Sequence, residues 1–261
     1  MMIGKEVGTS AELVKIEYEN KKGKLLELKN LSKKGNFKDI NLNLYEGEVL
    51  GITGLLGSGR TELALALFGI SAYVSGDIYI NGSAVKIRSN QDALRNGVTL
   101  VPEDRLKNGL IFDQTIGSNL IISIIDNLLS KLKLIIGSKK NDVVYKLVKK
   151  FEIKCSSPDM LVQSLSGGNQ QRVVLAKCLA TSPKILILDS PTAGIDIGAK
   201  FKIYNIIKDL SKEGMGIILI SDEAPELIRN CNRVLIMKRG RIIKELTSAE
   251  ITEENIKKNL N

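Results

Sequence analysis

Three short stretches carry side chains and spacings suited to handling a polyphosphate. The first, GLLGSGRT, sets Gly54, Gly57 and Gly59 ahead of a cation, Arg60, and a hydroxyl, Thr61. In such a loop the backbone from Gly54 through Leu55, Leu56, Gly57, Ser58 and Gly59 into Arg60, Thr61 and Glu62 can surround phosphate oxygens. Lysine is the usual cation there; arginine keeps the charge but presents a longer, planar fork. The second stretch, KILILDSPTAGID, is an apolar run ending in Asp189, a carboxylate able to orient Mg²⁺ and its waters while Thr61 supplies a hydroxyl ligand. The third is LSGGNQQ, Leu165 to Gln171, running straight into the helix-forming NQQRVVLAKCLA. Gly167 and Gly168 admit close approach to the backbone, Ser166 adds a hydroxyl, and the N–H groups that open the helix, with its dipole, favour an anion. Singly, these are also an ordinary buried strand ending in aspartate and an ordinary helix-capping turn. Together they point to the binding of nucleotide phosphates.

The flanking patterns supply the elements such motifs need. LLELKNL, INLNLYEG and EVLGITG read as strands, and the last leads directly into the glycine loop. TELALALFG follows with good helix formers and a closing Gly69, so strand, loop and helix come in the required order. GDIYING and GVTLVPED read as further strands. From about residue 104 to 177 the pattern turns helical, in TIGSNLIISIIDNLLSKLKLII and NDVVYKLVKKF, and reads as a helical subdomain inserted into the strand-rich part. KILILD and GIILIS have the short, wholly apolar form of buried parallel strands. RVLIMKRGRIIKEL reads as a hairpin across Arg239 and Gly240, and SAEITEENIKKNL as a closing helix capped by Ser248. Residues 1–24 are polar and read as a lead-in or linker, which leaves 25–261 as the folded domain.

Composition narrows the chemistry. The chain has 261 residues, 43% of them hydrophobic, and a net charge of +9. That suits one large domain, or one domain with a subdomain. The charge suits nucleic acid, anionic lipid or phosphorylated ligands without choosing between them, and reads first as a lysine-rich solvated surface. No histidine occurs, which removes Ser-His-Asp hydrolases, H-E-x-x-H zinc enzymes and any histidine base. Cys155, Cys178 and Cys231 are widely spaced and form no metal or redox pair. The most apolar stretch is interrupted by Asn119, Asp126, Asn127, Lys131 and Lys133, so it does not read as the ~20 apolar residues of a membrane span.

The glycine loop, the LSGG segment, the strand ending in Asp189 and the GID after it resemble an ATP-binding cassette. GEVLGITGLLGSGRTEL, VPEDRLKNGL, LSGGNQQRVVLAK and GIDIGAKFKIY resemble the second cassette of tandem-cassette ATP-binding subunits of bacterial sugar importers, from about Leu25 to the C-terminus. MMIGKEV is similar to the segment that joins the two cassettes, so the chain looks like the C-terminal half of a longer subunit. The resemblance implies an α/β fold: a P-loop core with a mixed sheet, an antiparallel β subdomain and an inserted helical subdomain. It implies ATP and Mg²⁺ as ligands, with Thr61 and Asp189 holding the metal, and makes Arg60 part of the match, since this second cassette commonly carries arginine.

The same resemblance exposes departures at positions that handle the terminal phosphate. Ser190 stands where these ATPases carry the glutamate that polarises water, Asp222 where the switch histidine stands, and Glu103 where a glutamine senses the γ-phosphate. Serine is no general base near neutral pH, and losing such a base costs ~10²–10⁴-fold in rate. Phe37 is the nearest candidate to stack on adenine, with strand packing as its other role. The signature, Ser166, Gly167, Gly168, Asn169 and Gln170, is intact; in this architecture it serves the nucleotide on a partner cassette. The implied partners are a first cassette, membrane permease subunits docking around Glu103 to Leu128, and indirectly a periplasmic or lipoprotein sugar-binding protein, with no nucleic acid. The implied location is the cytoplasmic face of the cell membrane. A cassette ATPase acting on nucleic acid or ribosomes fits the +9 charge, but the long coiled coils, zinc-binding cysteine pairs and basic linker helices of such proteins are missing from the sequence. An interaction module that no longer binds nucleotide is the third reading.

Overall fold

The computed structural model describes residues 23–260; most of the expected lead-in lies outside the described residues. In chain order the first elements are β1 (Lys24–Lys33), β2 (Phe37–Tyr45), β3 (Val49–Gly54), α1 (Arg60–Leu67), β4 (Ser75–Ile80), β5 (Ser83–Val85), α2 (Asn90–Arg95) and β6 (Val98–Val101). A π turn (Arg105–Gly109), α3 (Ile116–Ile121), a 3₁₀ segment (Ile122–Leu128), α4 (Gly137–Lys150) and α5 (Gly167–Leu179) follow with no intervening strand. The chain then runs through β7 (Ile185–Asp189), α6 (Ile197–Lys212), β8 (Gly216–Ile220), α7 (Ala224–Asn230), β9 (Arg233–Lys238), β10 (Arg241–Thr247) and α8 (Glu253–Leu260).

The strands form two sheets. An antiparallel sheet has the order β2-β1-β4-β5, and a mixed six-stranded sheet the order β10-β9-β3-β8-β7-β6. Strands β3, β7 and β8 are buried throughout because both faces of the mixed sheet are covered. Successive strand side chains point to opposite faces, and the cores divide accordingly. Ile185, Ile187, Ile218 and Ile220 join the core under α1 and the antiparallel sheet. Leu186, Leu188, Ile217 and Leu219 join the core under α3, α5 and α6.

Register places the motifs. Ile52 of β3, Ile220 of β8 and Asp189 of β7 lie in one row across three parallel strands. The glycine loop, Ser190 and Asp222 therefore leave the sheet at one edge. Asp189 is separated from β3 by β8, so the carboxylate and the glycine loop are neighbours across one intervening strand.

Three local expectations need correction. The apolar stretch after Thr115 is α-helical only to Ile121; the 3₁₀ segment is broken at Ile124 (φ −128°), and a bridge between Leu129 and Ile135 closes a turn. Ile121, Ile122, Ile124 and Ile125 crowd β-branched side chains into successive turns, which weakens a regular helix. No helix among the described residues is long and apolar enough to cross a membrane. Ser248 does not cap the closing helix. Thr247 caps a 3₁₀ turn in a capping box with Glu250, and α8 starts beyond Thr252, whose hydroxyl accepts from the Asn255 amide at 3.1 Å. The strand-rich part also begins one residue earlier than expected, at Lys24.

Candidate nucleotide site

The glycine loop has a backbone that only glycine tolerates. Gly57 and Gly59 have φ of 76° and 97°. A Cβ on Gly59 would lie 2.6 Å from the Asn36 carbonyl oxygen, and one on Gly54 would lie 2.3 Å from that of Met237. The first bond of α1 runs from Leu63 N–H to the Gly59 carbonyl at 3.0 Å, which leaves the N–H groups of Arg60, Thr61 and Glu62 without intrahelical acceptors. Glu62 brings a carboxylate to this turn, so its use to an anion is confined to its N–H. Leu55 and Leu56 are exposed at the loop apex, Leu56 by 98%. Ser58 is buried and its hydroxyl has no partner among the described residues.

Arg60 is buried, and its guanidinium is engaged. Nη1 donates to the Asp222 carboxylate and, at 3.4 Å, to the Ser221 carbonyl. The Asp222 side chain is 68% exposed. Its loop is pinned from the other side: the Glu223 amide donates to Ser221 Oγ at 3.0 Å, and Lys200 of α6 pairs with Glu223 at 2.6 Å. Asp222 thus occupies the loop's cation from a fixed position.

Asp189 is buried beside them. Burial pushes its carboxyl up to about 6; a hydrogen bond from Thr61 lowers it, Glu103 raises it, Arg60 lowers it and Asp222 raises it. Those influences put Glu103, Thr61, Arg60, Asp189 and Asp222 in one electrostatic neighbourhood, although Glu103 is exposed and follows β6, two strands from β8. A buried carboxylate with the Thr61 hydroxyl beside it, and phosphate oxygens from a nucleotide, is a donor set that fits Mg²⁺. No cluster of three or more acidic, cysteine or histidine ligands occurs among the described residues. Ser190 has φ of 46°, its N–H donates to Ile220 at 2.9 Å, and its carbonyl accepts from Ala193 at 3.1 Å. The turn brings a hydroxyl, and no base, to the place after Asp189.

Phe37 lines a cleft beside Gly57, formed with Lys33, Lys34, Asn36 and Arg239. The side chain itself is 3% exposed and packs in the core, which leaves strand packing as its role.

The signature segment opens α5, in the helical insertion. Its helix begins with the bond from Gln170 N–H to Ser166 at 2.9 Å, so the N–H groups of Gly167, Gly168 and Asn169 have no intrahelical acceptors. Asn169 donates to Ser166 Oγ at 3.0 Å and accepts from the Lys154 amide at 3.1 Å, which leaves the serine proton free to point outward. The two glycines differ in purpose. Gly168 makes room for α6, since a Cβ there would lie 2.7 Å from that of Ala199. Gln170 is buried and presents nothing at the surface. Arg105 had no role assignable from sequence beyond its place in VPEDR. Its Nη1 donates to the Ala193 carbonyl at 3.0 Å, between the signature and the loop after Asp189.

A parallel sheet edge carrying a glycine loop and an aspartate, with a helical insertion bearing LSGG, defines an ATP-binding-cassette fold. The ABC transporter family matches residues 37–193, and the chain belongs to that family. A ribose import ATP-binding protein of Caldanaerobacter subterraneus subsp. tengcongensis is 41% identical over 256 residues, covering 98% of this chain and 51% of the relative. A xylose import ATP-binding protein of Yersinia pseudotuberculosis is 42% identical over 219 residues, covering 84% and 43%. The chain spans about half the length of the curated relatives it matches. Among solved structures, the cassette cbiO1 of Clostridium perfringens, part of an ABC transporter complex, superposes with a TM-score of 0.74 at 25% identity, covering 92% of this chain and 95% of that one. A cassette dimer in a post-hydrolysis state with ADP and Pi has the same fold, with a TM-score of 0.74 at 23% identity, covering 86% and 99%.

Proposed function

We propose that this chain is a regulatory nucleotide-binding cassette of a bacterial sugar importer. It binds Mg-ATP weakly, hydrolyses it little, and supplies its LSGG segment to the nucleotide of a partner cassette. Support for the sugar importer comes from relatives named for ribose and xylose import, each matched over about half its length. That coverage fits a second cassette in a subunit of roughly twice this size. The partners are then the first cassette, permease subunits contacted through residues 103–128, and a sugar-binding protein acting through the permease, at the cytoplasmic face of the membrane.

One observation carries the weak-site reading: the glycine-loop cation, Arg60, is paired with Asp222. A terminal phosphate has to compete with that carboxylate for the guanidinium, and Asp222 repels it as well. Bound Mg²⁺ would neutralise phosphate charge and orient a water. Thr61 and Asp189 would hold it, the first-turn amides of α1 would hold the phosphates, and Ser190 would supply no base. Without a base in this site, turnover belongs to the partner's nucleotide, against which Ser166 and the N–H groups of Gly167, Gly168 and Asn169 would close. Calorimetry of the isolated chain with ATP and Mg²⁺ tests this. The expected result is weak binding in the high-micromolar to millimolar range without measurable turnover; no heat across that range would contradict nucleotide binding.

A further inference from the structure

The π turn Arg105–Gly109 is clamped at both ends. Asp104 caps it by accepting from the Leu106 and Lys107 amides at 3.1 Å each, and Lys177 of α5 donates to the Gly109 carbonyl. Gly109 sits so close to α5 that a Cβ there would lie 3.1 Å from Val174. From this frame the Arg105 guanidinium reaches to the opening of the signature helix. Nη1 donates to the Ala193 carbonyl at 3.0 Å, and Nη2 lies 3.0 Å from where a Gly167 Cβ would be. Nε is buried without a partner, and no carboxylate pairs with the group among the described residues. A cation beside the positive end of a helix is unfavourable unless an anion joins them. Guanidinium and helix end therefore converge on one point in front of Gly167.

We propose that Arg105 is a phosphate-contacting residue acting in trans. With the signature it meets the terminal phosphate of the nucleotide on the partner cassette, and its bond to Ala193 links that contact to the loop following this chain's own Asp189. The proposal rests on the reading of this chain as the signature donor. In the partner's site, water attacks the γ-phosphorus and ADP leaves; Arg105 exchanges no proton and stabilises the charge spread over the γ-oxygens.

Arg105→Gln and Arg105→Lys test this in a transporter reconstituted with the first cassette and permease. Glutamine is polar but shorter and carries no charge; lysine keeps the charge. Arg105→Gln should lower kcat for ATP hydrolysis roughly 10²-fold with KM for ATP altered less than about threefold, and Arg105→Lys should recover about tenfold or more of that loss. Binding of a fluorescent ATP analogue to the isolated chain should be the same in both. Equal activity in the two variants, or an unchanged kcat in Arg105→Gln, overturns the proposal. Gly167→Asp in the same preparation separates the levels. If it abolishes hydrolysis while Arg105→Gln is unimpaired, the signature reading stands and the role of Arg105 falls. If Gly167→Asp leaves hydrolysis intact, both fall.

Discussion

Arg60 of the glycine loop donates to the carboxylate of Asp222, which lies two residues beyond the end of β8. The cation is buried and the anion is exposed. From sequence, Asp222 reads as a residue that repels phosphate. The contact adds a second effect, because the same carboxylate holds the charge that a phosphate would use.

Asp222→Asn removes both effects while keeping the size of the side chain. A pair with one exposed partner is worth about 1 kcal/mol or less, so Mg-ATP affinity should rise by about fivefold. Titration with a fluorescent ATP analogue measures it. A weaker-binding Asp222→Asn would show that the pair positions Arg60 for phosphate instead of withholding it.

Asp189 gives the site a pH dependence. Its folded carboxyl is raised to about 6 from an ordinary value of 3.8, mainly by burial. The folded chain therefore binds this proton more tightly than the unfolded chain. The contribution of this group to stability is most favourable at low pH and declines as pH rises through about 4 to 6. Mg²⁺ needs the ionised form, so the Mg²⁺-dependent part of nucleotide binding should fade as pH drops from 7 to 5. Asp189→Asn should stabilise the nucleotide-free chain at pH 7.5 by ~1–3 kcal/mol and abolish its stabilisation by Mg-ATP. Thermal melts with and without Mg-ATP read both effects; a destabilised apo variant would contradict the assignment of burial as the dominant cause.

Ser190→Glu should not make the isolated chain an ATPase. It restores a carboxylate, but at a φ of 46°, where a glutamate backbone is disfavoured by about 1 kcal/mol. Arg60 stays engaged by Asp222, and no second cassette closes the site. A phosphate-release assay should stay at background; steady turnover would mean that the missing base was the sole defect.

The fold was legible where strand periodicity and loop chemistry agree. VLGITG, ILILD and GIILI are buried along their whole length, as short apolar runs bounded by turn signals lead one to expect of covered strands. The glycine loop was legible for the same reason, since Gly54 and Gly59 sit where a Cβ collides with backbone. The stretch after Ile121 was not, because a run of apolar residues does not distinguish a helix from short turns packed by their side chains. Neither ion pairing at Arg60 nor the reach of Arg105 could be read locally. Asp222 and Ala193 come to those residues through strand order, and sequence spacing carries no trace of which strands are neighbours.

The division of labour between the two sites is tested most directly by comparing Gly167→Asp with Ser190→Ala in the reconstituted transporter. On the proposed reading, Gly167→Asp puts a carboxylate, next to the Arg105 guanidinium, where the partner's terminal phosphate would sit. Two like charges at about 4 Å repel by roughly 4 kcal/mol at an effective dielectric of about 20, and the phosphate carries more than one. Ser190→Ala removes a hydroxyl from a site that, on the same reading, has no base. Sugar-stimulated ATPase and uptake should therefore collapse in Gly167→Asp and change little in Ser190→Ala. If Ser190→Ala is the more damaging change, this cassette is itself the working active site and the asymmetric account is wrong.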